Sequence, residues 1–223
     1  MGRFLTRKNL TRNEMLVVYI IAALSLMIGA VNSAFFSMGT VIDTARSMLV
    51  TVIFALCEMA IIISGGIDVS FPAIACFSLY STIAFMNAYH IDSVAFAFFF
   101  SGFLGLLWGA LNAILIAKFR IPALIATLGT SSLASGAILV ISGGKEISMI
   151  PPSVDALSQQ FLFSVTNASG VKSSLTVFIL LPAALCLLFH FVLRHTMFGR
   201  GIYAIGGSRP SALRVGYNID RIQ

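Results

Sequence analysis

The chain is 223 residues long, 58% hydrophobic and only 10% charged, with 14 Lys and Arg against 8 Asp and Glu. Its mean hydropathy is +0.98 and its pI about 9.6. Soluble domains carry about 25% charged residues, so this composition argues against a soluble enzyme or a nucleic-acid-binding domain and marks an integral membrane protein.

A helix needs about 20 largely apolar residues to cross the hydrocarbon core. In chain order, six segments meet or approach that length: Met15–Phe36, Ser47–Ser64, Ser70–Ala88, Val94–Ala117, Ile121–Ile141 and Ser174–Leu193. The fold class expected is therefore all-α, a polytopic transmembrane helical bundle of about six spans filling residues 15–193. The basic head, residues 1–14, holds Arg3, Arg7, Lys8 and Arg12, with no small-residue cleavage site behind it. It reads as the flank of an uncleaved first span. Residues 142–173, with Pro151 and Pro152, read as a loop outside the membrane.

Placing the N-terminus inside puts Arg3, Arg7, Lys8, Arg12, Lys118, Arg120, Arg194, Arg200, Arg209, Arg214 and Arg221 on the cytoplasmic side. Only Arg46, Lys145 and Lys172 remain outside. The positive-inside rule then sets both termini in the cytoplasm. Topology accounts for the basic pI without nucleic acid.

Cys57, Cys76 and Cys186 sit in apolar runs and read as small buried hydrophobes. His90, His190 and His195 lack ligand spacing, and no metal site, cofactor or catalytic residue is expected. No Walker A pattern occurs, because Gly143-Gly144-Lys145 lacks both the upstream Gly and the following Ser or Thr.

Two carboxylates carry the chemical interest. Glu58 lies within the second apolar run, and Asp68 follows it in Ile63-Ser-Gly-Gly-Ile-Asp-Val-Ser70. An ionisable group at the bilayer centre costs about 2.5–3.5 kcal/mol on insertion scales, so it faces a bundle interior or a watery path. Glu58 reads either as a protonated or paired interior residue or as a path residue. Asp68 reads as the N-cap of the next helix, a path residue, or both. Gly65 and Gly66 end a helix easily, and no Lys or Arg flanks the gap, so Ser64–Ser70 is expected to be a broken helix near a translocation route. The tentative path comprises Glu58, Ser64, Gly65, Gly66, Asp68 and Ser70, joined by Thr127 and Thr130 of the fifth span. In Thr127-Leu-Gly-Thr-Ser-Ser-Leu-Ala-Ser-Gly136 the small residues suit either helix packing or a hydroxyl-lined path. Ile141-Ser-Gly-Gly-Lys-Glu-Ile-Ser148 echoes the first Gly pair, by coincidence or as an inverted repeat.

Several strings together, in order and spacing, resemble one family. They are Ile63-Ser-Gly-Gly-Ile-Asp-Val-Ser70, Asn112 with Ala117-Lys-Phe-Arg-Ile-Pro122, Thr127-Leu-Gly-Thr130 and Phe198-Gly-Arg-x-x-Tyr-Ala-Ile-Gly-Gly207. The family is the permease subunits of bacterial ABC importers for ribose, galactose and related simple sugars. The resemblance implies a multi-pass protein of the bacterial inner membrane, a second permease copy, a cytoplasmic ABC ATPase and a periplasmic sugar-binding protein. It also implies alternating access, with ATP hydrolysed on the separate subunit. A different class of function, an autonomous channel or ion-coupled carrier using Glu58 and Asp68, stands as the alternative.

The segment 194–223 is expected to be a cytoplasmic coupling loop against the ATPase, carried by Phe198, Gly199, Arg200, Gly206, Gly207, Ser211, Ala212, Leu213 and Gly216. Gly206 and Gly207 are read as a turn. A short helix is expected to start near Ser208 or Pro210 and stop at Gly216, and Ile202, Ile205, Leu213 and Val215 are expected to stand exposed without a partner. Two strings depart from the family. Asp-Leu-Ser-x-Gly reads Asp68-Val-Ser-Phe-Pro72, and the Glu-Ala-Ala of the loop reads Pro210-Ser211-Ala212. Family members run several spans longer, so the chain is expected to be a truncated, split or partial subunit.

Overall fold

The computed structural model describes residues 13–166 and 170–222. The basic head through Arg12 lies outside the described residues. The main helices are α1 (Asn13–Val31), α2 (Met38–Ile63), α3 (Phe71–Ala88), α4 (Val94–Ala113) and α5 (Ala123–Ser142). A short α6 (Pro152–Ser158) precedes the strands β1 (Phe161–Thr166) and β2 (Lys172–Thr176). Then come α7 (Leu180–His195), α8 (Met197–Gly207), α9 (Arg209–Arg214) and α10 (Ile219–Ile222). Among the described residues, five stretches are long and apolar enough to cross a membrane: Met38–Ile63, Phe71–Ala88, Val94–Lys118, Ala123–Ser142 and Val177–His195. Met15–Val31 is a shorter apolar helix, so the molecule is a polytopic helical bundle.

The chain divides into two compact units. Residues 1–47 and 161–175 form one. There a 3-10 turn at Ser33–Phe36 folds back on α1, capped by Asn32, whose side chain accepts from Ala34 N–H. The second helix begins at Met38, not at Ser47 as its apolar run implied. Two charges are absorbed because each has a neighbour in the hairpin β1–β2. Ser173 Oγ donates to the Asp43 carboxylate at 2.9 Å, and Arg46 stands 5.9 Å over the Phe161 ring.

Residues 48–160 and 176–223 form the second unit. α3 is its centre, packing most extensively on α5 and then on α4. Ser78, Thr82 and Met86 of α3 and Ala126, Thr130 and Ala134 of α5 are buried at helical spacing. Small and hydroxylated residues let helix backbones approach closely. The large apolar side chains do the opposite: Phe99, Leu106, Leu128 and Val140 stand exposed. All three cysteines are also exposed, correcting the buried reading. In a lipid-facing protein an apolar run does not separate inside from outside.

The loop 142–173 contains order the sequence did not announce, namely α6 and the hairpin, the only strands among the described residues. Ser153 N–H donates to the Asp92 carboxylate at 2.8 Å, and Asn87 Nδ2–H to Met149 O at 2.8 Å. These bonds hold the segment before β1 against the ends of α3 and α4.

Candidate functional site

The second helix ends where its glycines predict. Gly65 adopts φ +87°, and residues 66–70 run without regular structure until α3 begins at Phe71. Gly143 (φ +59°) and Gly144 (φ +77°) end α5 in the same left-handed region. The echo of Ser-Gly-Gly is thus a shared helix terminator.

Inside the break, the polar groups satisfy one another. Asp68 is not the N-cap of α3, which is Ser70, and that residue makes no side-chain capping bond. Asp68 Oδ1 instead accepts from Ser70 N–H at 2.7 Å and Ser70 Oγ–H at 2.6 Å, closing a local turn. Glu58 reaches forward ten residues, each carboxylate oxygen 3.4 Å from Asp68 N. Val69 N–H points to Thr127 Oγ1 at 3.4 Å, tying the break to α5. Asn112, near the end of α4, donates Nδ2–H to Ser70 Oγ at 2.8 Å. Three helices therefore meet on five residues of irregular chain.

Beside this network lies a cavity of about 310 Å³. Ser64, Gly66 and Asp68 line it from the break and Thr127 from α5. Gly105, Gly109 and Asn112 form its α4 wall, while Phe71 and Ile74 supply apolar surface from α3. Of the tentative path residues, Ser64, Gly66, Asp68 and Thr127 line this space. Glu58 and Ser70 join the network without lining it. Gly65 serves as the terminator, and Thr130 is buried in the α3–α5 contact, donating to Thr127 O at 3.2 Å. Asn112 was not singled out for the path. Its signal was available: a lone amide on the otherwise apolar helix of Val94–Ala113 marks a polar interior.

The tail has its own construction. Thr196 caps α8 by accepting from Gly199 N–H at 3.0 Å, and Ser208 caps α9 by accepting from Ser211 N–H at 3.4 Å. The short helix runs over Arg209–Arg214, and Gly216 (φ +91°) follows it. Gly206 and Gly207 belong to α8 and are not a turn, which falls at Ser208. Gly206 is needed for contact, because a methyl there would run into the carbonyl oxygen of Ile63 at the end of α2. Gly199 is packed as tightly against the backbone of Val192 and Leu193. Ile202 and Ile205 are not left exposed as expected. Ile205 packs with Ala212 and Ile219 in a small core, and Ile202 is also buried. Leu213 and Val215 stay exposed, as do Phe198, Arg200, Gly207 and Ser211. Arg200 donates to Met197 Sδ at 2.8 Å.

A polytopic helical bundle with a helix break, buried hydroxyls and an interior cavity has the form of a membrane permease. Residues 40–223 match the family described as branched-chain amino acid transport system / permease component, and the chain belongs to that family. Among curated relatives it is 29% identical over 203 residues to the autoinducer 2 import system permease protein LsrC of Yersinia pestis (strain Pestoides F). It is 30% identical over 205 residues to the protein of the same name from Yersinia pseudotuberculosis serotype O:3 (strain YPIII). Each alignment covers 91% of this chain and 54% of the relative, so the chain spans about half the length of those proteins. No solved structure matches.

Proposed function

We propose that the chain is a membrane-spanning permease subunit of an ATP-driven importer for a small sugar-like solute of the ribose, galactose or autoinducer-2 type. The observation that carries this reading is family membership over residues 40–223 together with relatives named as autoinducer 2 import permeases. The cavity at the break supports a route: it is bounded by Asp68 and three hydroxyl or amide side chains between apolar walls. Irregular backbone in a membrane protein is tolerated where it lines such a cavity. The protein sits in the bacterial inner membrane with both termini cytoplasmic. It pairs with a second permease copy, receives solute from a periplasmic binding protein, and takes its drive from a cytoplasmic ATPase docked on the α8–α9 segment. Alternating access then opens the cavity to each side in turn.

The test is uptake into orientation-controlled vesicles holding the permease with its ATPase and binding protein. Import of autoinducer-2, D-ribose or D-galactose that requires ATP supports the reading. Flux driven by a proton or sodium gradient without the ATPase overturns it in favour of a carrier built on Glu58 and Asp68.

A further inference from the structure

Near the end of α4 the chain buries an amide of which only half is used. Asn112 is 6% exposed and gives Nδ2–H to Ser70 Oγ, while its Oδ1 has no hydrogen-bond partner. The neighbours fix which way the amide faces. Ser70 has one hydroxyl proton, and at 2.6 Å from Asp68 Oδ1 that proton belongs to the carboxylate. Ser70 Oγ can then only accept, so the amide must present NH₂ to it. Turned over, Asn112 would set two lone-pair-bearing oxygens 2.8 Å apart. An acceptor buried without a partner is unfavourable. Immediately beyond it, Ile114–Lys118 forms a π-helical turn, a rare geometry that recurs at functional sites.

The hydroxyls of the lining show the same bias. Ser64 gives its proton to Ile61 O at 2.7 Å, and Thr127 directs its own at Leu124 O at 3.4 Å. The backbone N–H groups of Gly66, Asp68, Val69 and Ser70 are taken within the chain, while those of Ile67 and Phe71, which also line the cavity, are not. Among the lining side chains it is Asn112 Oδ1 that stands as a buried acceptor without a partner.

We infer that Asn112 Oδ1 is the acceptor of this cavity that takes a hydroxyl proton from a neutral polyol. This rests on the functional reading above and names the group that reads the solute. Oδ1 is covered by its neighbours in this conformation, so the solute meets it only as the lining opens, which suits a step in transport. Phe71 and Ile74 face the apolar side of the ring.

The experiment uses the reconstituted importer with its ATPase and binding protein. Uptake is measured for autoinducer-2, D-ribose and D-galactose, and then for the single-deoxy analogues of whichever is carried. In the wild type at least one deoxy analogue should enter about tenfold more slowly, the worth of one hydrogen bond. In Asn112→Leu that penalty should vanish, because the parent solute falls to the same rate. Any preference of the binding protein cancels in this comparison. Trp108, the single tryptophan, lies one helical turn before Asn112. Its fluorescence in the wild-type permease–ATPase complex should respond to the carried sugar and less to the deoxy analogue lacking the hydroxyl that Asn112 takes, a readout independent of whether the variant inserts. Equal deoxy penalties in the wild type and Asn112→Leu, or equal Trp108 responses to the sugar and that analogue, overturn the subsite alone. No import of any of the three sugars by the wild type overturns the functional reading beneath it.

Discussion

Asp68 organises more of the break than its single charge implies. By holding Ser70 N–H and Oγ–H it sets the direction of every proton through to Asn112. Asp68→Ala releases the Ser70 hydroxyl and lets the Asn112 amide turn, so uptake by the completed importer should fall at least tenfold, a loss of about 1.4 kcal/mol or more. Membrane insertion, followed by fractionation and immunoblot, should be normal; unchanged uptake would remove Asp68 from the path. Gly206 makes a second residue-scale case. Overpacking a tight contact costs about 1–3 kcal/mol, so Gly206→Ala should lower the melting midpoint of the detergent-solubilised chain. Gly207→Ala, with nothing within 4 Å of the added methyl, should leave it in place. A Gly206→Ala variant as stable as wild type would show that α8 does not bear on α2 through this glycine. The backbone terminators at Gly65 and Gly66 were legible because glycine alone favours φ near +87°. The role of Ser70 and the orphaned amide was not, since both depend on partners 42 residues apart.

At the scale of elements, apolar length located the helices but not their faces. A soluble core would be filled by Leu and Phe; here Ser78, Thr82, Thr127 and Thr130 are inside, and the Leu and Phe are outside. Hydropathy is nearly blind to that inversion, which is why the cysteines were misplaced and α2 was read nine residues short. The charges that extend α2 are answered by a hairpin far along the chain, and no local pattern records such a pairing. α6 likewise depends on distant support. Asp92 is held below the ordinary carboxylate range by the adjacent Ser153 side chain and by the Ser153 backbone N–H, which donates to it at 2.8 Å. A carboxyl lowered on folding contributes stability that is present above its unfolded pKa of about 3.9 and is lost as pH falls through the lower folded value. Hydrogen exchange of residues 150–158 should therefore be slow at neutral pH and rise in acid below that range. Asp92→Asn should show the fast exchange already at neutral pH. Identical profiles in the two proteins would mean that Asp92 does not fasten α6.

For the molecule as a whole, the question is how nucleotide-driven motion would reach the cavity. The α4–α5 turn and the tail meet around Arg120, Leu213 and Tyr217. Gly206 rests on Ile63, beside the start of the break. One end of the second unit therefore carries Arg120, Arg209 and the start of the break, a clustering that suits a cytoplasmic face under the positive-inside rule. Ile202 and Ile205 turn inward to anchor α8, while Leu213, 59% exposed, and Val215, 77% exposed, present the apolar surface left for a partner. A helix set in a groove would cover them, and α9 linked through α8 to the end of α2 gives a short route from that groove to Asp68. Exposed charges contribute little to affinity compared with a buried apolar anchor. Leu213→Asp should thus reduce ATPase co-purification tenfold or more and leave hydrolysis uncoupled from uptake, whereas Arg209→Ala should change both by less than about threefold. Ala212 is buried and unsuited to crosslinking, so the contact is best sought from Val215→Cys, with Ser158→Cys as the opposite-face control. Capture of the ATPase from Val215 alone is the expected result. If neither cysteine captures it and Leu213→Asp leaves the complex intact, the α8–α9 segment is not the coupling element.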